Sequence, residues 1–241
     1  MSDLEIVPED WDRALAVVAH PDDMEYGASS AVAKWTAQGK QIGYVLATRG
    51  EAGISSMKPE EVSRLRSEEQ RLACEVVGVD DLVFLDHPDG LVEPNHHLRR
   101  DFARQIRRFR PDAIISSNYR DSWGGPSWNH IDHRSVGIAL MDAVRDAANP
   151  WVFTDLVDEG FEPWSGVRFV AYNASTEPTH AVDITGYVEA GVRSLLCHEV
   201  YLSNLDSDPD EIPGQFLREW AAGSGASIGA EAATTFELKT P

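Results

Sequence analysis

The stretch Leu15-Ala16-Val17-Val18-Ala19-His20-Pro21-Asp22-Asp23-Met24-Glu25 decides the fold. Its continuous apolar run is typical of a strand that is buried on both faces of a parallel sheet. The run stops at His20-Pro21-Asp22-Asp23, and residues of helical composition follow. Open α/β sheets bind their ligands at the carboxyl ends of the strands. We therefore expect one histidine and two carboxylates at the ligand-binding edge of a sheet.

Strands and helices alternate along the first 150 residues. Strands are predicted at 14–20, 41–48, 82–85 and 112–117, and helices at 24–38, 59–78, 96–109 and from 131 onward. This order implies a parallel sheet with right-handed crossovers. Beyond Pro150 we predict a strand at 167–172, a helix at 183–198 capped by Asp183, and an edge strand at 234–238. The fold class is therefore α/β: one Rossmann-like domain with a mostly parallel sheet flanked by helices.

The composition restricts the class of partner. Lysine and arginine number 21 against 40 aspartates and glutamates, which gives a net charge of −19. Such an acidic chain is a poor ligand for nucleic acid or an anionic membrane. No segment has the length of a membrane span, and Cys74 and Cys197 lie far apart in predicted helices. We expect a cytoplasmic protein with free thiols, no membrane insertion and no nucleic-acid partner.

The predicted helix at 96–109 has an arginine-rich face opposite its apolar one. Its arginines are residues 99, 100, 104, 107 and 108. In an acidic protein such a face is typically solvated or salt-bridged, with a contact in a homo-oligomer as the alternative.

Two segments carry the chemistry. His20 and Asp23 are three residues apart at a strand-to-helix turn, and His130 and His133 are three apart at the start of a helix. Two histidines and a carboxylate suit zinc and leave one coordination position open, as in catalytic sites. Asp22 then fits the general base, His130 the acid or oxyanion donor, and Asp132 a group that orients an imidazole.

Each of these residues also has a simpler interpretation. Asp22 and Asp23 would favour the N-terminus of the following helix even without a metal. We interpret His87, His96, His97 and His180 as surface groups, and His198 as a core residue whose polar atoms are satisfied. The two segments together, both at strand ends, favour the metal site over these alternatives.

The motifs resemble those of the LmbE-like, or PIG-L, family of zinc-dependent de-N-acetylases. Residues 19–25 match the family pattern alanine-histidine-proline-aspartate-aspartate-x-glutamate, and His130-Ile131-Asp132-His133 resembles its second motif. The loop Thr48-Arg49-Gly50-Glu51-Ala52-Gly53 and the segments Pro88-Asp89-Gly90 and Val182-Asp183-Ile184-Thr185 are also similar. The resemblance extends over nearly the whole chain.

The resemblance implies roles for individual residues. His20, Asp23 and His133 would be zinc ligands, although iron(II) accepts the same donors. Asp22 would be the general base, and His130 the protonated partner that stabilises the oxyanion. Arg66 and Asp89 fall where family members hold hydroxyls of an amino sugar. Some members have a tyrosine two residues before the first histidine of the second motif, where this chain has Trp128. We expect Trp128 and Trp123 to stack on a sugar or to line the pocket mouth.

The resemblance implies a hydrolase that removes the N-acetyl group from a GlcNAc-containing small molecule. A single domain at 1–241 would have its core at about 12–150, and residues 151–241 would complete the substrate pocket. Three alternatives stay open. They are an amidase of a larger acyl or thiol conjugate, a magnesium-dependent phosphotransferase with a carboxylate nucleophile, and a sugar-binding module without turnover. The phosphotransferase would leave the paired histidines unexplained.

Overall fold

The apolar run that begins at Leu15 lies in an interior strand of an eight-stranded sheet. The computed structural model describes residues 4–205 and 214–241. The strands, in chain order, are β1 Glu5–Ile6, β2 Arg13–Val18, β3 Gln41–Leu46, β4 Asp81–Phe84, β5 Ala113–Ser117, β6 Ser122–Gly124, β7 Ser127–Trp128, β8 Phe169–Asn173, β9 His180–Asp183 and β10 Ala233–Lys239. Strands β6 and β7 form a separate hairpin.

The large sheet is mostly parallel. Its order is β1-β9-β10-β8-β5-β2-β3-β4, and only β10 runs antiparallel to its neighbours β8 and β9. The pairs β2–β3, β2–β5, β3–β4 and β5–β8 are all parallel. The carboxyl ends of these strands therefore meet at one edge, where residues 20–23 follow β2. The predicted α/β class and mostly parallel sheet are confirmed.

Helices cover both faces of the sheet. They are α1 Ser29–Ala37, α2 Pro59–Val76, α3 His96–Phe109, α4 Ile131–Ala148, α5 Thr154–Asp158, α6 Val188–Leu196, α7 Glu199–Ser203 and α8 Gln215–Gly225. Along β2, Ala14, Ala16 and Val18 join the core on the side of α1, whereas Leu15 and Val17 join the core on the side of α3 and α4. Burial on both faces explains why the run is continuously apolar.

Three predicted elements differ from the structure. The helix predicted at 24–38 begins only at Ser29, because residues 21–28 form turns in which Asp22 has a left-handed φ of 88°. Asp183 does not cap a helix: it ends β9 and accepts a hydrogen bond from the Thr185 amide, and α6 begins at Val188 after a positive φ at Gly186. Strand β10 is not at an edge but lies between β8 and β9.

The arginine face of α3 is salt-bridged. Arg99 pairs with Asp146, Arg108 with Asp81, and Arg100 and Arg104 with Glu159. Arg107 is buried and donates to main-chain carbonyls at the C-terminus of α4, those of Asp146, Ala147 and Asn149. The salt-bridged interpretation is therefore confirmed, and the oligomer contact stays a prediction. Over residues 4–205 and 214–241, no helix combines the length and apolar character that crossing a bilayer requires.

A buried carboxylate fixes the loop after β5 to β10. Glu237 is 1% exposed and accepts hydrogen bonds from Arg120, Lys239 and Ser175. Burial alone would raise the pKa of Glu237, but these donors outweigh it and lower the pKa to about 2. The charged form is therefore the one that the fold stabilises.

We expect Glu237→Gln to lower the free energy of unfolding by about 3 kcal/mol at neutral pH, because it removes the buried carboxylate that accepts from Arg120 and leaves that guanidinium with the exposed Glu177. The folded pKa of Glu237 lies below the unfolded one, so this stabilisation is complete above about pH 5 and is lost as the pH falls toward 2. Urea unfolding at several pH values measures it. Glu231→Gln, at an exposed glutamate just before β10, is the control. A difference between Glu237→Gln and wild type that does not shrink in acid would contradict the prediction.

Candidate metal centre and active-site pocket

Three donor atoms from the two predicted segments meet at the carboxyl edge of the sheet. His20 Nδ1 lies 3.1 Å from His133 Nε2 and 3.7 Å from Asp23 Oδ1, and His133 Nε2 lies 3.0 Å from Asp23 Oδ1. Donors of a tetrahedral zinc site, at about 2.0–2.1 Å from the metal, stand about 3.3 Å apart. The three atoms therefore have the separations that a single bound ion of this kind requires.

Neighbouring groups hold each of these side chains in a ligating orientation. Asn129 Oδ1 accepts from His133 Nδ1 at 2.9 Å, which leaves His133 Nε2 without a proton and directed at the centre. Asp23 uses its other oxygen to accept from the amides of Ala19 and His20. His20 Nε2 faces two carboxylates, with Asp89 Oδ1 at 3.0 Å and Asp132 Oδ2 at 3.1 Å. His20 is thus fixed through Nε2 and presents Nδ1 to the centre.

The charges of this cluster favour a cation. Burial opposes protonation of His20, but hydrogen bonds to Asp132, Asp23 and Asp89 outweigh burial and raise its pKa well above the usual range. Burial would raise the pKa of Asp23, yet His133 and His20 lower it well below its usual value. Three carboxylates around one imidazole therefore require positive charge at this point, which a divalent metal would supply.

Asp22 lies beside the centre but does not point its carboxylate into it as Asp23 does. It is 5% exposed, its left-handed backbone is held by a hydrogen bond from its amide to Gln70 Oε1, and its Oδ2 lies 3.2 Å from Arg66 Nη2. Burial raises the pKa of Asp22 to about 6, although Arg66 opposes this. A carboxylate with a raised pKa is suited to accepting a proton near neutral pH.

His130 lies on the pocket side of the cluster, where its ring centroid is 5.3 Å from that of His20. Its Nδ1 accepts a hydrogen bond from the amide of Asp132, so the ring proton resides on Nε2. Partial burial and the charge of His20 lower the pKa of His130. The ring can therefore donate from Nε2, and the protonated state that the resemblance implied stays a prediction.

These groups line one cavity of about 480 Å³. Besides the metal-centre residues, its wall contains side chains from β8, α7 and α8, which all lie beyond residue 150. They are Asn173, Tyr201, Phe216 and Trp220. Trp123, on the β6–β7 hairpin, also lines the cavity, whereas Trp128 is 67% exposed and packs against Arg134 outside it.

The sequence and the fold both relate the chain to known proteins. A family profile described as PIG-L: GlcNAc-PI de-N-acetylase matches residues 15–144, more than half of the chain. The chain belongs to the PIG-L family. The predicted family membership is thereby confirmed.

Relatives of this PIG-L protein include two named deacetylases. Diacetylchitobiose deacetylase of Thermococcus kodakarensis is 29% identical over 223 residues, which are 91% of this chain and 80% of that protein. The 1D-myo-inositol 2-acetamido-2-deoxy-alpha-D-glucopyranoside deacetylase of Kineococcus radiotolerans is 27% identical, over 81% of this chain and 70% of its own. The structure of N,N'-diacetylchitobiose deacetylase from Pyrococcus horikoshii has the same fold, with a TM-score of 0.85 and 24% identity over 96% of this chain and 85% of that one.

Two residues of the PIG-L pattern have contacts that the sequence did not suggest. Arg66 is 3% exposed and donates to the carbonyls of Pro21 and Gly50 as well as pairing with Asp22. Asp89 accepts from the Ala52 amide and faces His20. Both line the cavity. Contact of either side chain with sugar hydroxyls stays a prediction. In the structure Arg66 contacts the Asp22 carboxylate, and Asp89 contacts the His20 ring.

Sequence reasoning missed several groups that build the PIG-L site. Asn129 orients His133, and Gln70 orients Asp22. The sequence gives a signal for Asn129 alone, because it directly precedes the second motif. Behind Asp22, His198 is fully buried as predicted, but its polar atoms are not satisfied as we expected. Neither ring nitrogen has a hydrogen-bond partner among residues 4–205 and 214–241, and Glu25 Oε2 lies 3.6 Å from Nε2.

Proposed function

We propose that this protein is a metal-dependent hydrolase that removes the N-acetyl group from a GlcNAc-containing small molecule, releasing acetate and a free amine. One observation carries the proposal: a triangle of metal donors from His20, Asp23 and His133 shares its cavity with Asp22, a buried carboxylate outside the triangle. Relatives of the same family that are named as deacetylases of N-acetylated sugars support the reaction class.

In this proposal His20, Asp23 and His133 hold the metal. When bound, the ion would supply Lewis-acid chemistry, lowering the pKa of a water and polarising the amide carbonyl. Two histidines and one carboxylate suit zinc, and iron(II) accepts the same donors, so zinc is the metal that we propose and iron(II) the alternative. The orientation of each ligand by Asn129, by main-chain amides and by Asp89 and Asp132 supports a preorganised site.

The protein's own groups would carry the proton transfers. Asp22 takes the proton of the water whose oxygen bonds to the acetyl carbon, and Arg66 keeps the Asp22 carboxylate in place. His130 donates from Nε2 to the oxyanion that forms as the carbonyl double bond opens. The C–N bond then breaks, and the proton held by Asp22 passes to the leaving nitrogen. Acetate and the amino sugar result.

The location, the substrate class and the domain organisation of the protein belong to the proposal as well. We retain a cytoplasmic location, a small amino-sugar substrate and a domain in which residues 151–241 complete the pocket. Asn173, Tyr201, Phe216 and Trp220 on the cavity wall support the last of these.

The proposal is tested by acetate release from N-acetylglucosaminides with the protein loaded with zinc or iron(II). We expect activity that a chelator abolishes and that the added metal restores, with stoichiometric metal bound per chain. Bound metal without acetate release from any N-acetylglucosaminide would favour an amidase of a larger acyl conjugate. A protein that binds sugar without hydrolysing it would contradict the proposal.

A further inference from the structure

Aromatic side chains extend the pocket beyond the metal centre. The rings of Tyr26 and Phe216 stack with centroids 5.5 Å apart and planes inclined by 23°. Trp220 lies one helical turn after Phe216 on α8 and is 47% exposed. Trp123 meets His133 edge to face at 5.5 Å, so aromatic surface begins directly beside a candidate ligand. Flat apolar faces of a substrate can stack on such rings.

Within the described part of the chain, this pocket has no lysine or arginine that is available to a bound anion. Among the described residues that line it, Arg66 is the one such side chain, and it is 3% exposed. Its donors contact the Asp22 carboxylate at 3.2 Å and the carbonyls of Pro21 and Gly50. Tyr201 covers the guanidinium with its ring centroid 3.9 Å from Cζ. Arg66 is therefore occupied by the protein itself.

Two carboxylates of the pocket have no lysine or arginine partner among the described residues. Asp23 and Asp89 pair with the imidazoles of the centre, and the chain as a whole carries a net charge of −19. A divalent ion held by His20, Asp23 and His133 would offset the carboxylates at the centre and not those near the outer aromatic surface. An anionic group placed near Trp220 would thus meet a negative field without a cationic partner.

We propose that the preferred substrates are neutral or cationic N-acetylglucosaminides whose aglycone, a second sugar ring or an aryl group, stacks on the surface formed by Phe216 and Trp220. Conjugates with an anionic aglycone, such as a phosphate or a dicarboxylic acid, are poor substrates. This inference rests on the proposed deacetylase function, and it adds the substrate class that this particular pocket selects.

The test compares kcat/KM for acetate release by the metal-loaded enzyme on three kinds of substrate. The neutral ones are 4-nitrophenyl N-acetylglucosaminide, in both anomers, and N,N'-diacetylchitobiose. The anionic one is N-acetylglucosamine 1-phosphate, and free N-acetylglucosamine is the reference. We expect the neutral glycosides to exceed the phosphate by at least about tenfold, since like charges repel and no cation compensates.

Variants at Trp220 separate stacking from charge. Trp220→Ala should raise KM for the neutral glycosides by about three- to tenfold with kcat nearly constant, and should lower their preference over free N-acetylglucosamine. Trp220→Arg should raise kcat/KM for the phosphate, because it supplies the missing cation. Trp151→Ala, at a tryptophan 84% exposed and outside the pocket wall, is the matched control and should match wild type.

The outcomes distinguish this inference from the function on which it rests. Acetate from none of the substrates would overturn the deacetylase proposal. Acetate from the phosphate as fast as from the neutral glycosides would overturn the inference alone, as would a Trp220→Ala enzyme whose KM values all equal those of wild type.

Discussion

Asp22→Asn is expected to lower kcat for acetate release by about 100- to 10,000-fold while the bound metal stays at the wild-type level. The amide has the shape of the carboxylate but cannot accept the proton of the attacking water. It leaves the donor triangle of His20, Asp23 and His133 intact, since the Asp22 carboxylate is not part of it. The backbone hydrogen bond from Asp22 to Gln70 also remains.

Metal content and single-turnover rate of the same Asp22→Asn preparation test this role. The matched control is Asp158→Asn, at an exposed aspartate that ends α5, which should keep the wild-type rate. His130→Ala should also lose rate with its metal retained, because it removes the donor to the oxyanion. If Asp22→Asn keeps the full rate with normal metal content, Asp22 is not the base.

That His20, Asp23 and His133 come together was predictable because they lie in two short segments. Residues 20–23 and 130–133 each place their donors within one turn, and parallel strands bring such turns to the same sheet edge. The groups that orient these donors could not be predicted in this way, because some of them lie far from the donors in the sequence. Gln70, for example, lies mid-helix in α2, 48 residues after Asp22, and only the packing of α2 on the first turn brings them together.

The later part of the chain was harder to predict for a related reason. Asp183 followed by Thr185 has the composition of a helix N-cap, but the same Asx hydrogen bond also ends a strand in a turn. From Thr235 to Lys239, strand β10 alternates polar and apolar residues as an edge strand would. Its polar Glu237 is nevertheless buried, because Arg120, 117 residues earlier, reaches it. Local sequence carries no information about that partner.

His133→Ala is expected to lose both metal and activity, with acetate release falling by more than about 100-fold. Removing one corner of the donor triangle leaves His20 and Asp23, whose donor atoms alone do not enclose an ion. Asn129→Ala should be intermediate: every metal donor remains, but His133 loses the acceptor that fixes its tautomer, which typically costs 10- to 100-fold in metal affinity.

Metal titration of the chelated proteins, followed by acetate release at saturating metal, distinguishes these cases. Asn129→Ala should regain activity at high metal concentration, because its defect lies in affinity, whereas His133→Ala should not. His97→Ala, at an exposed histidine in the first turn of α3, should titrate like wild type. Undiminished metal occupancy in His133→Ala would remove His133 from the ligands. The ion would then have to lie elsewhere among the carboxylates around His20.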